Sequence, residues 1–206
     1  MKHFIGVISS LLSTLLPAVA EPGPQFHGPA QPQPDAVAAP QYLSESPLPK
    51  GWPEPGPFNQ VARKKCPAYR GAFTPGASPN FGFWRLFSHI KKHEIPMSSP
   101  VEMKLDGAAT QSLKMEEMAF LYQSREVGET GADGTRVDVR DVPAQEVLSY
   151  AWQGPRDDAA IAAARTALDA ELAKQKLTAA GYRLLGYNSP FIPRSKQTYE
   201  LQAVIR

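Results

Sequence analysis

Two histidines stand one helical turn apart near the middle of the chain, at positions 89 and 93. The i, i+4 spacing of His89 and His93 stacks two imidazoles on one side of a helix, where they can coordinate a transition-metal ion. Relative to the apolar residues around them, His93 falls on the flank of the predicted apolar face and His89 near its polar edge. Exposed or helix-capping histidines are the alternative interpretation. A zinc site also requires a third ligand, and the sequence contains neither HExxH nor CxxC.

The sulfur-containing residues, one cysteine and several methionines, are the second group of candidate ligands. The single cysteine, Cys66, excludes an intramolecular disulfide. Its neighbours Lys64 and Lys65 can favour the thiolate, but a lone cysteine in a strand pattern is typically half-buried. Thioethers can bind soft metal ions, or they can fill irregular gaps in an apolar core. Four methionines lie around the passage from the predicted helix into the following strand: Met97, Met103, Met115 and Met118.

Aromatic residues are concentrated on the predicted strands of the second half. Such side chains can stack on a planar ligand, or they can pack as core and cross-strand partners. Glu200 stands in the middle of an apolar final strand, where a carboxylate lies either on a solvated face or buried for a reason. The aromatic residues are Tyr150, Trp152, Tyr182, Tyr187 and Tyr199.

Composition and motifs argue against two classes of protein. The formal net charge is +2 and the basic residues are dispersed, so no nucleic-acid footprint is predicted. There is no Gly-x-Ser-x-Gly motif, and Cys66 has no identifiable base partner in the sequence. We therefore expect a binding protein rather than an enzyme.

The elements that must position these residues occur twice. The last two thirds of the 206-residue chain repeat a strand, a helix and two further strands. Each copy carries Ser-Pro and an apolar residue, in MSSPV at 97–101 and in YNSPF at 187–191, which we expect to open the strand after the helix. Two βαββ copies can close around a shared interior with a ligand crevice between them. The predicted fold is α+β: duplicated βαββ units form a curved, mainly antiparallel sheet or distorted barrel with two helices.

Local signals place the helices and strands. Asn80 is the predicted N-cap of the first helix; Asp157 begins the second and Gly181 is its predicted stop. Pro67 and Pro143 interrupt strand runs and indicate an edge, a bulge or a kink. The predicted apolar faces are Phe83, Leu86, Phe87 and Ile90 in the first helix and Ile161, Ala164, Leu168 and Leu172 in the second. The predicted strands are 61–73, 101–105, 118–123, 137–142, 147–152, 182–187 and 199–205.

Residues 81–105, FGFWRLFSHIKKHEIPMSSPVEMKL, resemble the signature of the SOUL haem-binding protein family, in which a helix ending in a basic turn leads into Met-Thr-x-Pro-Val and a strand. Ser98 stands where the family usually has Thr and keeps the hydroxyl. The usual Arg-Asn-Glu-Val near the end is QTYEL at 197–201, which keeps only the carboxylate. The resemblance extends from about Asn59 to the C terminus.

The resemblance implies a domain that binds haem or another tetrapyrrole reversibly and non-covalently in an apolar cleft. Met97 matches the methionine of the signature and is expected to form a wall of that cleft. His93 or His89 can then supply a nitrogen to haem iron, and Arg183 or Arg194 can pair with the propionates. The predicted cofactor-binding residues are Met97, Phe83, Phe87, Ile90, Tyr187, Glu200 and His93.

Two other functions remain open at this point. Related ligand-binding domains of this general fold use a glutamate to meet cationic ligands. The chain can therefore bind another amphipathic or cationic small molecule, with Glu200 as the counter-charge. A small hydrolase on the same scaffold, using Glu200 and a tyrosine, is the other alternative. The predicted partner is a small-molecule tetrapyrrole and not a nucleic acid.

The N-terminal residues have the layout of an exported protein. Residues 1–20 combine a basic start, an apolar run at 4–16 and an Ala18-Val19-Ala20 cleavage site, as in a secretory signal peptide. As a helix the apolar run would span about 20 Å, against a hydrocarbon core of ~30 Å, so no stable membrane insertion is expected after cleavage. We expect a periplasmic or secreted protein.

Prolines then recur every few residues through 21–57, with few aliphatic side chains between them. Such a segment cannot bury enough apolar area to offset its ordering entropy. It therefore predicts a disordered, partly polyproline II tether that is dispensable for stability. The SOUL-like domain is expected to occupy 58–206.

Cleavage after Ala20 can be tested directly. Because Ala18 and Ala20 supply the small residues that signal peptidase requires, the exported protein is expected to begin at Glu21. N-terminal sequencing of material recovered outside the cytoplasm measures this. An intact Met1 on exported protein would contradict the prediction.

Overall fold

The computed structural model describes residues 39–76, 79–106 and 114–206, so the predicted signal peptide and the first part of the predicted tether lie outside the described residues. The helices are α1 (Pro79–Lys92) and α2 (Asp158–Gln175), with a short 3₁₀ helix at Arg194–Lys196. Within the described ranges, no helix is both long and apolar enough to cross a membrane. The strands are β1 (Val61–Cys66), β2 (Tyr69–Pro75), β3 (Val101–Leu105), β4 (Met115–Leu121), β5 (Gly131–Asp133), β6 (Val137–Val142), β7 (Gln145–Gln153), β8 (Ala179–Gly186) and β9 (Thr198–Ile205).

Strand pairing confirms the duplicated βαββ fold. β2, α1, β3 and β4 form the first unit, and β7, α2, β8 and β9 form the second. In each unit the third strand lies between the first and the second, and the two second strands, β3 and β8, pair at the centre of the sheet. Every pair is antiparallel, in the order β1-β7-β9-β8-β3-β4-β2-β6-β5.

Two short links force this sheet to curve. Only Pro67 and Ala68 separate β1 from β2, and only Pro143 and Ala144 separate β6 from β7. β1 and β2 nevertheless stand at opposite sides of the sheet order, which in a flat sheet would place them about 29 Å apart. A two-residue link reaches about 10 Å at most, so the sheet must bend until its ends approach each other.

Alternating side chains divide the curved sheet into an outer face under the helices and an inner face. Leu86 of α1 and Leu168 of α2 belong to the buried cluster of the outer face. The inner face has a second cluster, in which residues from strands far apart in the sheet order meet. This cluster includes Cys66, Tyr69, Leu121, Val147 and Leu185.

The helix boundaries follow the sequence signals only in part. Asp157 caps α2 as predicted, since its side chain accepts the backbone N–H of Ala160 at 2.9 Å. The predicted stop is wrong: α2 ends before Lys176, which adopts a φ of 55°, and Gly181 lies inside β8. α1 begins at Pro79, so Asn80 lies within its first turn rather than at the N-cap. Proline suits this first position because its missing N–H has no partner there in any case.

Residues 41–57, which belong to the predicted tether, pack on the domain. Glu45 accepts the backbone N–H and the hydroxyl of Ser189, each at 2.8 Å. The backbone N–H of Lys50 donates to the carbonyl of Gln123 at 2.8 Å, and Trp52 is only 5% exposed. The structured chain therefore starts before the predicted boundary at residue 57, because polar and aromatic side chains between the prolines find specific partners. We call residues 41–57 the docked segment.

Polar side chains run across the inner face. Lys64 Nζ lies 2.7 Å from a carboxylate oxygen of Glu200, with both side chains buried. The side-chain amide of Gln202 donates to the other oxygen of Glu200 at 2.6 Å and accepts from Arg183 Nε at 2.8 Å. We call this set the inner network; its members are Lys64, Cys66, Tyr69, Glu102, Arg183, Glu200 and Gln202.

Arg183 connects this first ion pair to a second. Its Nη1 lies 3.2 Å from Glu102 and donates to the Tyr69 hydroxyl at 3.1 Å, while Tyr69 donates to Glu102 at 2.8 Å. Its Nη2 donates to Cys66 Sγ at 3.3 Å. Burial raises the pKa of the Cys66 thiol and outweighs the opposing effects of Arg183 and Lys64. The thiol is therefore protonated at neutral pH, contrary to activation by neighbouring lysines.

The docked segment closes the inner network on one side. Lys64 Nζ also donates to the carbonyl of Glu54 at 2.9 Å, and the N–H of Gly56 donates to Glu200 at 3.4 Å. The Trp52 ring lies 5.4 Å from the Arg183 guanidinium. These contacts shield both buried ion pairs from solvent.

Removal of the docked segment is expected to destabilise the domain. A chain that begins at residue 58 loses the burial of Trp52 and two hydrogen bonds to the Lys64–Glu200 pair, so we expect a loss of at least ~2 kcal/mol in the free energy of unfolding. A chain that begins at Ala39 is the control and should unfold like the protein without residues 1–20. Urea denaturation measures both, and equal midpoints for the two shortened chains would contradict the role of the segment.

The Glu200→Gln change leaves the Lys64 ammonium buried without its carboxylate. We expect it to lower the free energy of unfolding by about 3 kcal/mol. The matched control is Glu146→Gln, which removes an ion pair with Arg63 whose side chains are 37% and 47% exposed, and which should cost at most ~1 kcal/mol. Chemical denaturation compares the two, and equal losses would show that the inner ion pair is not specially buried.

Candidate functional site

An apolar cavity of about 420 Å³ opens between α1 and the two Ser-Pro turns. Phe83, Trp84 and Phe87 form the helical wall. Met97 lines the cavity from the first turn, and Glu45 lines it from the docked segment. The turn at 187–191 supplies a further wall.

Strand register brings the two turns to one place. β3 begins at Val101 and β8 ends at Gly186, and these two residues are paired at the centre of the sheet. The turn before β3 and the turn after β8 therefore lie at the same edge. The prediction that Ser-Pro opens the strand after each helix holds for the first copy only. In the second copy Ser189 and Pro190 follow that strand, because β8 extends back to Ala179.

Some aromatic side chains of the cavity pack against each other, and others are exposed to solvent. The rings of Phe83 and Phe87 are nearly parallel, at 11° with centroids 6.1 Å apart, and Phe120 of β4 meets Phe83 edge-on at 5.1 Å. Trp84 and Phe191, in contrast, are 62% and 94% exposed. A group of exposed aromatic side chains at an apolar cavity is typical of a binding site.

Serine hydroxyls fix the first turn. The Ser98 hydroxyl donates to the carbonyl of Leu121, which ties the turn to β4. Ser99 donates to the carbonyl of Ser46 at 3.2 Å, and its hydroxyl also lies 3.2 Å from that of Tyr42. The hydroxyl that Ser98 keeps in place of threonine therefore positions Met97, the neighbouring cavity residue.

The structure brings together some of the predicted cofactor-binding residues and separates the rest. Ile90 is 4% exposed and packs in the outer core. Glu200 belongs to the inner network. His93 and His89 lie at another cavity, together with Asp133. The predicted residues that line the apolar cavity are Phe83, Phe87, Met97 and Tyr187.

The two arginines predicted to pair with propionates, Arg183 and Arg194, lie in different environments. Arg183 is buried and committed to Glu102 and the rest of the inner network. Arg194 is exposed. Burial raises the pKa of the Tyr199 hydroxyl, and Arg156 and Arg194 oppose this effect, which places their positive charges near that ring. Tyr199 in turn lies 3.5 Å from the position of a Cβ on Gly186, which lines the apolar cavity.

Among the cavity residues that sequence reasoning missed, Trp84, Phe191 and Glu45 matter most for binding. Trp84 directly follows Phe83, and Phe191 directly follows the second Ser-Pro motif, so their positions next to predicted site residues could have indicated both. Their exposure, however, depends on tertiary packing. Glu45 was assigned to the tether, and no local signal indicated that it docks.

A polar cavity of about 380 Å³ lies on the inner face and offers a contrasting environment. Four of its charged lining residues form pairs with each other: Arg140 lies 2.6 Å from Glu117, and Arg183 lies 3.2 Å from Glu102. The other two, Lys104 and Asp141, pair with Glu116 and Arg70 outside the lining. Paired charges attract a charged ligand weakly. The apolar cavity is therefore the stronger candidate for a ligand site.

Comparison with solved structures shows that the fold is shared. An uncharacterized conserved protein from Listeria innocua is 13% identical with a TM-score of 0.56, over 73% of this chain and 94% of that chain. A hydrolase from Listeria innocua is 11% identical with a TM-score of 0.52, over 73% and 94%. EcmrR in complex with DNA is 13% identical with a TM-score of 0.55 over 71% of this chain, which spans only 57% of that chain. Likeness at these identities establishes the fold alone.

A search of curated proteins found no match at a significant level. The sequence profile described as SOUL heme-binding protein matches residues 69–202, well over half of the chain. The match runs from the first residue of β2 into β9 and so includes both helices and both turns of the apolar cavity. The resemblance of residues 81–105 is thereby confirmed, and this chain belongs to the SOUL heme-binding protein family.

Proposed function

We propose that the protein binds haem, or another tetrapyrrole, reversibly and without a covalent bond in the apolar cavity beside α1. One observation carries the proposal: Trp84 and Phe191 are largely exposed where they line a cavity whose other walls are aromatic and apolar. Exposed aromatic surface is unfavourable in water, and a planar apolar ligand would cover it. Family membership supports haem as that ligand.

The residues present fit the macrocycle of a tetrapyrrole. The volume of about 420 Å³ lies within the range of roughly 300–1,000 Å³ that is usual for ligand sites. The nearly parallel rings of Phe83 and Phe87 offer flat surface, and Phe191 can close over a ligand from the opposite turn. Arg156 and Arg194 are exposed, and both lower the pKa of the Tyr199 hydroxyl against the effect of burial, so either can meet a propionate.

Iron ligation is a smaller part of this proposal. Met97 is the residue of the described lining whose sulfur can ligate haem iron. His89 and His93 do not line the cavity, so an axial imidazole is not required. Bound haem would supply an iron centre with a Soret band, which makes binding measurable. The protein itself supplies burial of the macrocycle and orientation of its charged edge.

Glu200 is not available for either alternative function, the binding of a cationic ligand or hydrolysis. Glu200 is fully buried and paired with Lys64, so it presents no free carboxylate to a cationic ligand or to a substrate. The hydrolase from Listeria innocua shares the fold at 11% identity, which transfers no activity to this chain. We therefore propose a binding function and not catalysis.

We further propose that binding occurs outside the cytoplasm. The signal-like pattern at 1–20 supports this proposal, and it lies outside the described residues. A protein in that location would hold the tetrapyrrole as cargo. Fractionation of cells that express the full chain tests the location independently of ligand binding.

Removal of the exposed aromatic side chains should weaken haemin binding without unfolding the domain. We expect Trp84→Ser and Phe191→Ser each to lower haemin affinity at least tenfold, or ~1.4 kcal/mol, because each removes apolar surface that covers the ligand. The matched control is Phe81→Ser: Phe81 lies on the same helix and is 72% exposed, but it does not line the cavity. A Soret titration measures the three variants. Equal affinities would refute the assignment of the cavity.

The contributions of the apolar cavity and of the two histidines to haemin affinity can be compared by mutation. We expect the double change His89→Gln with His93→Gln to weaken haemin binding less than about tenfold. Met97→Asp should weaken it more, because a carboxylate facing the macrocycle is desolvated without a partner. Circular dichroism must first show the native fold in both variants. A hundredfold loss in the folded histidine variant would instead demonstrate direct imidazole ligation.

A further inference from the structure

Three potential metal ligands meet at the C-terminal end of α1. His89 Nδ1 lies 2.7 Å and His93 Nε2 lies 3.1 Å from the same oxygen, Oδ2 of Asp133. The three donor atoms lie within 4.8 Å of one another. The third ligand that the two histidines need for zinc is therefore present, although it comes from a strand more than forty residues away in the sequence.

The distances suit a tetrahedral ion. Zinc–nitrogen and zinc–oxygen bonds of about 2.0–2.2 Å place neighbouring ligand atoms roughly 3.3 Å apart. The separations of the two histidine nitrogens from Asp133 Oδ2, 2.7 and 3.1 Å, would open by about 0.6 and 0.2 Å to admit the ion. The two histidine nitrogens lie within 4.8 Å of each other and would close on it. Two imidazoles and one carboxylate are a ligand set that zinc uses with water in the fourth position.

A buried tyrosine orients the first histidine. His89 Nε2 lies 2.8 Å from the hydroxyl of Tyr122, which is 1% exposed. In the metal-free protein Nδ1–H donates to the Asp133 carboxylate, so Nε2 accepts from the Tyr122 hydroxyl. A metal ion on Nδ1 would displace that proton, and Nε2–H would then donate to Tyr122. Metal-bound histidines usually have a partner on the second nitrogen that fixes the ring in this way.

The scaffold is stiff on both sides and leaves room for water. His89 lies in the last turn of α1 and His93 directly follows the helix, with its N–H donating to the carbonyl of His89 at 3.1 Å. The two ring centroids are 4.7 Å apart. Asp133 lies on β5 and pairs with Val137 of β6. A cavity of about 320 Å³ opens at the three side chains and can hold the fourth ligand.

Lys92 is the group that competes with a metal ion here. Its Nζ lies 2.6 Å from the other oxygen of Asp133, while its side chain is 63% exposed and free to swing away. Hydrogen bonds from Lys92 and then His89 hold the pKa of the Asp133 carboxyl well below its usual range, so the carboxylate is anionic at neutral pH. An ammonium beside the site should weaken cation binding without abolishing it.

We propose that His89, His93 and Asp133 form a binding site for Zn²⁺, separate from the apolar cavity, with water as the fourth ligand. No residue of this site lines the apolar cavity, so the proposal is independent of haem binding. Zinc binds the deprotonated ligands, so binding releases protons to the buffer.

The test is a calorimetric titration of the full chain with Zn²⁺ at neutral pH, in buffer free of haemin. We expect one saturable site, and we expect His93→Gln and Asp133→Asn each to weaken binding at least tenfold. Asp158→Asn is the matched control for Asp133→Asn, since it removes an exposed carboxylate at the start of α2, away from the cavity of the site, and should leave affinity unchanged. Lys92→Gln should tighten binding, because it removes a competing positive charge.

Replacement by Co²⁺ provides a second measurement. Intense visible absorption on Co²⁺ binding, lost in Asp133→Asn, would support a tetrahedral site with this carboxylate as a ligand. The melting temperature of each metal-free variant, measured beforehand, establishes that it is folded. Absence of saturable Zn²⁺ binding by the unaltered chain would overturn the proposal, as would equal affinity in folded Asp133→Asn. Weaker zinc binding in Lys92→Gln would contradict the competition between Lys92 and the ion for Asp133.

Discussion

Two ion pairs buried inside a curved sheet are the constraint on which the rest of this structure depends. Curvature brings Lys64 of the edge strand against Glu200, and direct pairing of β3 with β8 places Arg183 diagonally opposite Glu102. Charges can be buried only with partners, and here Gln202 joins the two pairs into one network. The docked segment covers that network, which explains why Pro-rich chain before β1 belongs to the folded domain. The inside of the sheet is consequently committed to structure.

The proposed ligand site therefore lies at the edge of the sheet, where the duplication places two related turns together. Antiparallel pairing of β3 with β8 brings the turns at 97–101 and 187–191 side by side, and α1 lies across them. The same helix has two functional ends in this account. Its first half presents aromatic rings to the apolar cavity, and its C-terminal end, with the residue that follows it, places His89 and His93 beside Asp133. Separation along one helix explains why a single chain can offer an apolar site and a polar site without interference.

Local sequence patterns predicted much of the fold and part of the site. Helical spacing located α1 and α2, Asp157 identified a cap, and the family signature selected Met97, Phe83 and Phe87. Contacts between distant residues were not accessible in this way. Lys64 and Glu200 are 136 residues apart, and their pairing depends on a strand order that no local pattern specifies. Asp133 was missed for the same reason, since β5 is a three-residue strand inside a predicted loop.

The central claim is that a tetrapyrrole binds beside α1 and not inside the sheet. Backbone amide spectra of the ¹⁵N-labelled protein, recorded with and without the diamagnetic gallium protoporphyrin IX, test it most directly. We expect the large shift changes at 83–87, 97–101 and 186–191, with the amides of Lys64, Glu102 and Arg183 little changed. Large changes confined to the inner network, or to the residues around Asp133, would contradict the account.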